Sequence, residues 1–558
     1  MSEKTFSITG KVYNPFTSEV DFLEVCVVNG VITKKIKKPW DDSAPIITTG
    51  FICSHVHVES SLLPPHEFSK LAVRRGVMGV VADPHEIANV LGVAGIDYMI
   101  ESGKKVPFYF FWGAPPCVPA TIFETNGYTL GVDDCRALLD RPEITHLSEV
   151  MNYPGVLNGD AELFEKVSYA KEKGKPIDGH APGLRGESAE KYVKLLGCPA
   201  DHECFTPEEA LDKIRAGGLV AIREGSAAKN FDALWHLLKD YPDKIMFCAD
   251  DAHPDGIFNG WGEIDDSSGY IDVLVRRAIA NGIEPMIALQ AASRNPILHY
   301  NLPVGRLEVG DPADLITIES FESLKVLETY VKGELVQSGG ESLISSVSTI
   351  PINNFNCQKI DMDKLRIYGD CTKSLRVIRV IPKELVTEVD LVRPAMANDE
   401  IVSSVENDVL KVVVVNRYTS DVKISLAFVT GFGLTSGAIA SSVAHDSHNI
   451  VAVGTNDEDL LSAVNAVIDS KGGLVVSERD YIRILPLPIA GLMSDLDAFE
   501  VVKRYEELDQ LAKVSLGSSL PSPFMSLSFI ALLVIPALKI SDMGLFDGSQ
   551  FCFVPLQT

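Results

Sequence analysis

Two histidines separated by one residue, His55 and His57, lie in the segment GFICSHVHVES. Side chains two positions apart on a β-strand point to the same face, so both imidazoles can reach one metal ion. This pattern alone is weak evidence, because paired histidines on strands more often pack in the core or lie at the surface. Its value depends on where the strand ends and on which other metal-binding side chains come near it.

Further metal-binding side chains follow short apolar runs later in the chain. Glu149 ends THLSEVM, His180 ends PIDGH, and His202 lies in ADHE. Asp250 and Asp251 end KIMFCADD. Each alone has an ordinary interpretation as a capping acid, a buried histidine or a loop glutamate. Their convergence on one rim predicts a metal site, and since Glu149 could bridge two ions, we expect a binuclear centre.

The ligand types limit the metal and indicate the reaction. Four imidazoles with carboxylates suit Zn, Mn, Fe or Co, and no thiolate is placed to demand a softer ion. A bound divalent ion lowers the pKa of its water to about 7, which produces hydroxide at neutral pH. Asp250 beside that water could take its proton and later pass it to a leaving group. The residues predict hydrolytic attack on an sp² carbon.

The ligand-bearing segments belong to an alternation of short apolar runs and amphipathic stretches. Helix-like segments at residues 160–174, 206–217 and 230–240 separate some of the runs. Eight strand–helix units predict a (β/α)₈ barrel, whose active sites lie at the carboxyl ends of the strands. A doubly wound open sheet would also alternate, but the count of eight favours closure. The runs centre on residues 50–58, 78–83, 107–112, 145–150, 176–180, 200–203, 218–224 and 245–250.

The flanks of this predicted barrel have a different character. Residues 1–49 and 303–343 read as short antiparallel strands and predict one small β-sandwich domain assembled from both ends of the barrel. Residues 344–558 are numerous enough for a separate C-terminal α+β domain. The predicted class is therefore α/β, with a (β/α)₈ hydrolase barrel over residues 50–302 and these two additional domains.

The composition is that of a folded, acidic protein. Hydrophobic residues make up 46% and charged residues 23% of 558 positions, and the formal net charge is −26. Such a surface repels phosphate backbones and anionic lipid, so we expect neither nucleic acid nor membrane as a partner. The N-terminal residues carry no apolar run behind a basic patch, and the ten cysteines include no C-x-x-C pair. Both features favour a cytoplasmic location.

One apolar stretch, residues 524–538, needs a separate interpretation. It is short for a bilayer span, carries two serines and is interrupted by Pro536. We therefore predict a buried helix or strand there.

The chain resembles the adenine deaminases of the amidohydrolase superfamily. Blocks similar to that family begin with GFICSHVHVES and extend through nearly the whole sequence. The further blocks are VVADPHEIANVLGVAGIDYM (80–99), EVMNYPGVLNGD (149–160), DGHAPGL (178–184), ADHECFTPEEAL (200–211), IREGSAAKN (222–230), CADDAHPDG (248–256), GRLEVGDPADL (305–315), GAIASSVAHDSHNIVAVGTND (437–457) and LPIAGLMSD (487–495).

This resemblance implies an activity, a cofactor and a ligand set. The reaction would be hydrolysis of adenine to hypoxanthine and ammonia, with a binuclear centre of manganese or iron and with zinc as the alternative. Hydroxide would attack C6 of the purine base, with Asp250, Glu149 and His202 as the catalytic residues. Asp251 would contact a ring nitrogen. The implied metal ligands are His55, His57, Glu149 as the bridging carboxylate, His180, His202 and Asp250.

Three positions depart from the family pattern. Cys53 stands where family members usually carry Asp, and if that Asp supports the histidine ligands, its loss could weaken or shift metal binding. Ala252 and Gly256 replace an Arg and an Asp that usually follow the strand-eight aspartates, which could alter contacts over the site. None of the three departures removes an expected ligand.

Several polar residues near the predicted rim have less certain roles. His85 and Glu86, in DPHEIAN, are candidates for substrate contact or proton transfer, with a plain helix start as the alternative. Arg223 and Glu224 could form a substrate-facing pair, but the pattern favours a structural ion pair at the rim. His253 reads as a residue behind the ligands or over the site. The polar cluster at 444–449 could cover the barrel mouth or bind an ion, but we interpret it as an ordinary loop.

Two other functions remain open from the sequence. One is an amidohydrolase that acts on another aminated heterocycle or a cyclic amide. Glu149 counts against a cyclic-amide hydrolase, because many of those enzymes use a carboxylated lysine as the bridging ligand. The other is a catalytically silent barrel that serves as a scaffold, against which the complete ligand set counts. A small-molecule purine base is the expected partner, and a homo-oligomer is expected on general grounds.

Overall fold

The structure, a computed structural model, describes residues 4–259 and 269–558. The chain begins with an antiparallel meander whose side chains alternate between buried and exposed positions, as one-sided sheets require. A fourth strand then runs parallel to the first. These strands are β1 (Thr5–Asn14), β2 (Glu19–Val28), β3 (Val31–Lys37) and β4 (Ile46–Thr49).

Eight parallel strands follow and pair in chain order. Nearly every residue in them is buried, because side chains of one face fill the barrel and those of the other lie under helices. The fold class predicted from the sequence is confirmed. The strands are β5 (Phe51–Val56), β6 (Val77–Ala82), β7 (Tyr109–Ala114), β8 (Ile144–Val150), β9 (Ile177–Gly179), β10 (Ala200–Asp201), β11 (Leu219–Arg223) and β12 (Ile245–Cys248).

The barrel closes where its first strand meets the residues after its last. Val56 and Asp250 form a parallel bridge, and the amide of Asp250 donates to the carbonyl of His55 at 3.1 Å. Earlier on the same two strands, the hydroxyl of Ser54 donates to the carbonyl of Phe247 at 2.9 Å. Closure therefore fixes the separation of His55 and Asp250, two of the expected metal ligands.

Helices cover the outside of the barrel, and their starts follow local capping chemistry. The carboxylate of Asp160 accepts from the amide of Leu163, and the hydroxyl of Thr206 accepts from the amide of Glu209. The segment expected at 230–240 splits into a short α-helix and the 3₁₀ helix Trp235–Leu238. The α-helices are α1 (Pro65–Val73), α2 (His85–Leu91), α3 (Val93–Gly103), α4 (Val132–Leu139), α5 (Tyr153–Asn158), α6 (Ala161–Glu172), α7 (Gly186–Leu196), α8 (Pro207–Arg215), α9 (Phe231–Leu234), α10 (Pro254–Phe258), α11 (Ile271–Ala280), α12 (Pro285–Leu289) and α13 (Asn295–His299).

After the barrel the chain returns to the first sheet. The new strands extend it on the β4 side, since β13 pairs antiparallel with β4. The result is one eight-stranded sheet containing segments from before and after the barrel. The returning strands are β13 (Leu315–Ile318), β14 (Val326–Val331), β15 (Glu334–Ser338) and β16 (Glu341–Ser342).

The remaining residues form a mixed sheet with helices. Eight strands pair in the order β18-β17-β22-β21-β24-β23-β25-β26, mostly antiparallel, and α14 packs its apolar face on them. The elements are β17 (Leu375–Val380), β18 (Thr387–Val392), β19 (Ala395–Ala397), β20 (Glu400–Val402), β21 (Leu410–Val415), β22 (Ile424–Thr430), β23 (Ala438–Ser441), β24 (Ile450–Gly454), α14 (Asp457–Ser470), β25 (Gly473–Glu478), β26 (Tyr481–Pro486), α15 (Ala498–Gln510), α16 (Pro523–Phe529), β27 (Leu538–Ser541), β28 (Gly544–Asp547) and β29 (Cys552–Phe553).

This C-terminal part packs against the barrel through polar contacts as well as apolar ones. The amide of Ser494 donates to the carbonyl of Leu62 at 2.8 Å, and the amide of Ala498 donates to the carboxylate of Glu67 at 2.8 Å. On another side, the amide of Thr125 donates to Asp542 at 2.9 Å. The contacts place the C-terminal part over the carboxyl ends of the barrel strands.

The apolar stretch at 524–538 is buried, as predicted. It contains most of α16 and the turns before β27, and its residues are largely inaccessible to solvent. Among the described residues, no helix combines the length and apolar character that crossing a bilayer requires.

A buried lysine contacts this stretch. The ammonium of Lys539 donates to the carbonyls of Leu385 at 2.7 Å and Phe529 at 2.9 Å. Burial lowers the pKa of Lys539 to about 7, because the charged form loses its hydration.

The depressed pKa of Lys539 predicts a pH-dependent stability. Because a lysine in the unfolded chain titrates near ~10.4, the folded protein binds fewer protons between about pH 7 and pH 10. The contribution of Lys539 to the free energy of unfolding therefore rises by about 1.4 kcal/mol per pH unit in that range. Lys539→Met should lose this component in urea unfolding measured against pH. The exposed control Lys364→Met should keep it, and equal slopes for both variants would contradict the prediction.

Candidate metal centre

The structure brings the six expected metal ligands together at the carboxyl ends of the barrel strands. Each is at most 5% exposed to solvent. His55 and Glu149 lie near the ends of β5 and β8, and the other four follow strand ends by one or two residues. Their ligand atoms form groups in which all members lie within 4.8 Å of one another. The six are His55, His57, Glu149, His180, His202 and Asp250.

The first group contains His55, His57 and Asp250. The Nε2 atoms of the two histidines are 3.2 Å apart, and Oδ1 of Asp250 lies 3.6 Å from that of His55 and 3.2 Å from that of His57. As expected for residues two apart on a strand, both imidazoles turn towards the same point. The three atoms form a triangle of the size that surrounds one divalent ion.

Glu149 lies between this group and a second one. Its Oε1 is 3.4 Å from Nε2 of His57. Its Oε2 is 2.7 Å from Nδ1 of His180 and 3.4 Å from Nε2 of His202. The two oxygens of one carboxylate therefore face different histidine sets, which is the arrangement that a bridging carboxylate requires.

The tautomer of His57 tests whether these residues fit a cation. Its Nδ1 lies 3.2 Å from the carbonyl oxygen of Asp83, which can only accept, so Nδ1 carries the proton. In the neutral ring, Nε2 then presents a lone pair towards the carboxylates of Glu149 and Asp250. Lone pairs and carboxylates repel each other unless a cation lies between them, so the donor set fits a divalent metal.

Asp250 takes an uncommon backbone conformation at the centre of the site. Its φ is 57°, in the left-handed region that aspartate tolerates better than most residues. The turn allows its amide to continue the pairing with the first barrel strand while its carboxylate lies among the histidines.

A buried arginine holds two of the acidic groups. The guanidinium of Arg223 donates to both oxygens of Glu203, at 2.8 and 2.9 Å, and also to Oδ2 of Asp250. Burial alone would raise the pKa of Asp250, but Arg223 and His202 hold it well below its usual range. Oδ2 of Asp250 is thereby occupied and Oδ1 faces the histidines. Arg223 and Glu224 do not pair with each other, because Glu224 pairs with Arg277 at 3.0 Å.

Asp83, which the sequence analysis missed, connects three site residues. Its carbonyl oxygen accepts from His57, one carboxylate oxygen accepts from the amide of His85 at 3.1 Å, and the other accepts from the amide of Glu149 at 3.3 Å. Asp83 follows the second barrel strand directly, so its position at a strand end was a usable signal. Glu203 was also missed, although it directly follows the expected ligand His202.

The expected substrate-side residues line a cavity beside the ligands. Asp251 accepts a hydrogen bond from the hydroxyl of Ser60, and Nδ1 of His85 lies 3.5 Å from Oε1 of Glu149. The barrel residues of the lining include the expected ligands other than His55, together with His85, Glu86 and Asp251. The C-terminal part supplies the rest of the lining, namely Leu385, His445, Asp446, Phe529, Leu532 and Ile535.

The cluster at 444–449, interpreted from sequence as an ordinary loop, therefore reaches the site. Glu86 lies between two of its histidines, with Oε1 at 2.5 Å from Nδ1 of His445 and Oε2 hydrogen-bonded to Nε2 of His448. No local sequence pattern indicates this contact, because Glu86 and His448 are 362 positions apart.

Other singled-out residues lie behind the ligands or away from them. His253 contacts the carbonyl of Ser60 at 3.0 Å and packs against Tyr505, so it supports the site from behind. The Cys53 thiol is buried beneath the ligands, donates to the carbonyl of His55 at 3.2 Å, and has a pKa raised to about 11 by burial. Four further histidines lie outside the lining of this cavity: His66, His146, His236 and His299.

Comparison with known proteins finds two families along the chain. Residues 46–336 match the family described as "Amidohydrolase family", and residues 384–552 match the "Adenine deaminase C-terminal domain". The first match contains every expected metal ligand, and the second contains His445 and the cavity-lining residues of the C-terminal part.

Curated relatives are similar over nearly the full length. "Adenine deaminase" of Salinibacter ruber is 47% identical over 550 residues, 99% of this chain and 98% of that relative. "Adenine deaminase" of Sulfurovum sp. is 48% identical, covering 97% of each chain. "Adenine deaminase" of Methanosarcina acetivorans is 45% identical, covering 96% of each. The similarity therefore includes the barrel and both flanking parts.

The Arg223 contacts predict a large stability loss on substitution. Arg223→Met leaves Glu203 and Asp250 buried without their counter-charge, and the metal-free protein should lose roughly 3–5 kcal/mol of unfolding free energy. The control is Arg294→Met, which breaks an ion pair with the exposed Asp243 and should cost less than about 1 kcal/mol. Urea unfolding after chelation measures both variants, and similar losses would contradict the assignment.

Proposed function

We infer that the chain, which belongs to the adenine deaminases of the amidohydrolase family, is a metal-dependent aminohydrolase that converts adenine and water to hypoxanthine and ammonia. The observation that carries this proposal is the position of Glu149, whose two oxygens face separate histidine sets with Asp250 beside them. The near full-length similarity to proteins named adenine deaminase supports the substrate.

Two divalent ions would be held by the six ligands. His55, His57 and Asp250 surround one position, His180 and His202 face the other, and Glu149 reaches both. When bound, such ions lower the pKa of a water molecule to about 7 and so supply hydroxide at neutral pH. Nitrogen and carboxylate ligands without thiolate suit Zn, Mn, Fe or Co, and the resemblance to the adenine deaminases selects manganese or iron among these, with zinc as the alternative.

Asp250 is the proposed proton carrier. Because Arg223 occupies its Oδ2, only Oδ1 is directed towards the histidines and the space from which water would attack C6. This oxygen takes a proton from the attacking water and passes it to the exocyclic amine. A C6–O bond forms and the C6–N bond breaks, so the amine leaves as ammonia with one proton from water, and the other proton of that water remains on hypoxanthine as a ring N–H. Glu149 and His202 would assist catalysis from beside Asp250. Nε2 of His202 lies 4.0 Å from Oδ1 of Asp250 and 3.4 Å from Oε2 of Glu149.

The purine ring is proposed to lie in the cavity between the expected ligands and the C-terminal part. Asp251 is held by Ser60 at the cavity wall and contacts a ring nitrogen. His85 and Glu86 form the adjacent wall, where each is within 3.8 Å of a residue of the C-terminal part. The cavity is bounded by apolar side chains of that part, which exclude bulk water from the reacting carbon.

The two alternatives carried from the sequence are less favoured. A silent scaffold has no need of six buried, convergent ligands. A cyclic-amide hydrolase would be expected to carry a bridging lysine where this chain has Glu149. Neither alternative is supported by a specific contact in the structure.

Several coarser features accompany the proposal. The ten cysteines are all unpaired, which agrees with a reducing, cytoplasmic location. The catalytic unit would span residues 50–302, with residues 1–49 and 303–343 as a small β domain and 344–558 as the third domain. A homo-oligomer is proposed on general grounds.

Ammonia release tests the proposed function. The protein purified from manganese-supplemented medium should release ammonia from adenine but not from adenosine or cytosine supplied in parallel. Release from cytosine or adenosine at the same rate would point to a different aminated heterocycle. Metal-loaded protein that acts on none of the three would refute the substrate assignment.

Two substitutions separate metal binding from proton transfer. His180→Asn should reduce both metal content and activity, because it removes a ligand of the second position. Asp250→Asn should keep much of its metal but lose at least about 100-fold in kcat, since an amide cannot carry the proton. Metal analysis and steady-state kinetics measure the difference. Normal turnover in His180→Asn, or equal metal loss in both variants, would contradict the assigned roles.

A further inference from the structure

His445 is a buried side chain of the C-terminal part that no step above uses. It is 1% exposed and lines the cavity opposite the ligands. Its Nδ1 is 2.5 Å from Oε1 of Glu86, and its ring stacks on Phe529 with centroids 4.5 Å apart and an interplanar angle of 17°. One nitrogen is thus anchored and the ring plane is held, so the direction of the other nitrogen is determined.

That other nitrogen, Nε2, is the unusual feature. It is buried, and it has no hydrogen-bond partner among the described residues. The nearest acidic oxygen in its direction is Oδ1 of Asp251, at 3.8 Å, which is too far for a hydrogen bond. A buried polar atom without a partner is costly, and the cost is removed when a ligand supplies the partner.

A metal ion between His445, His448 and Glu86 is the competing explanation, since their atoms lie close enough to form a site. The tautomer of His448 argues against it. Its Nδ1 accepts from the amide of Ala444 at 3.2 Å, so its Nε2 carries the proton and donates to Glu86. A protonated Nε2 has no lone pair for a metal, so His448 cannot be a ligand of such an ion.

We propose that Nε2 of His445 donates a hydrogen bond to a ring nitrogen of the bound purine, so that the C-terminal part supplies a substrate-binding residue. This inference rests on the proposed function, because it requires a purine base in the cavity. Glu86 acts as a positioning residue that holds His445 through Nδ1, and His448 holds Glu86 in turn.

The electrostatic surroundings support a donor rather than an acceptor. Burial alone would lower the pKa of His445, but the carboxylates of Glu86 and Asp251 raise it to about 9. Both ring nitrogens therefore carry protons at neutral pH, and the donated hydrogen bond is charge-assisted. The unprotonated nitrogens of a purine ring are the acceptors that suit such a donor.

Deaza analogues of adenine test this hydrogen bond atom by atom. In 1-deaza-, 3-deaza- and 7-deazaadenine one ring nitrogen is replaced by a carbon, which cannot accept. The wild-type, metal-loaded protein should bind one of the three about tenfold or more weakly than adenine through loss of this bond. Dissociation constants from competition with adenine give the ratio for each analogue.

Two variants of His445 connect the lost bond to Nε2. His445→Asn keeps an amide donor near the position of Nδ1 and removes Nε2, so its ratio for the sensitive analogue should fall to within about twofold of one. His445→Gln places an amide near Nε2 and should keep part of the discrimination. The matched control is His66→Gln, a buried histidine that contacts Ser102 outside the cavity lining and should show the wild-type ratios.

Distinct outcomes separate this proposal from the proposed function. If the wild-type protein deaminates adenine but all three ratios are the same in His445→Asn as in the wild type, the hydrogen bond is refuted while the function stands. Failure of the wild-type protein to bind adenine would refute the function itself. Metal content and thermal unfolding of each variant check folding, and His445→Gln gives a second test if His445→Asn is unstable.

Discussion

The burial of several carboxylates at one end of the barrel is the constraint on which the rest of the structure depends. Glu149, Asp250, Glu203 and Asp83 are all nearly inaccessible to water. Charged groups in such a place are very unfavourable unless positive charge or strong hydrogen-bond donors lie beside them. The arginine, the four imidazoles and the proposed metal ions supply this compensation, and their positions follow from where the acids are.

The barrel holds the acidic and basic side chains at fixed distances from one another, because its first and last strands join beside the site. The bridge between Val56 and Asp250 joins the first strand to the residues after the last. The two ligands closest to that seam belong to opposite ends of the barrel sequence. A change in closure would therefore change the separation of His55 and Asp250 directly.

The C-terminal part completes the site rather than only adjoining it. Phe529, Leu532 and Ile535 come from the apolar stretch at 524–538, and His445 comes from a polar loop elsewhere in the same part. Lys539 holds the carbonyl of Phe529, and Phe529 in turn supports the ring of His445. The cavity thus depends on both halves of the chain.

The sequence predicted the barrel and the candidate ligands because both leave local signals. A ligand that ends an apolar run, such as His180 or Glu149, is visible as a polar residue at a strand end. The pairing of Arg223 with Glu203 and Asp250, and of Glu86 with His445 and His448, left no such signal. These contacts join residues distant in sequence, and a polar loop such as 444–449 looks the same whether it faces solvent or a cavity.

The central claim, that six buried side chains form one binuclear catalytic centre, is tested most directly by metal titration. Metal-free protein would be titrated with Mn²⁺ while ammonia release from adenine is measured at each addition. The account predicts that activity rises with added metal and stops rising at two equivalents per chain. Full activity at one equivalent, or activity that does not depend on metal, would contradict it.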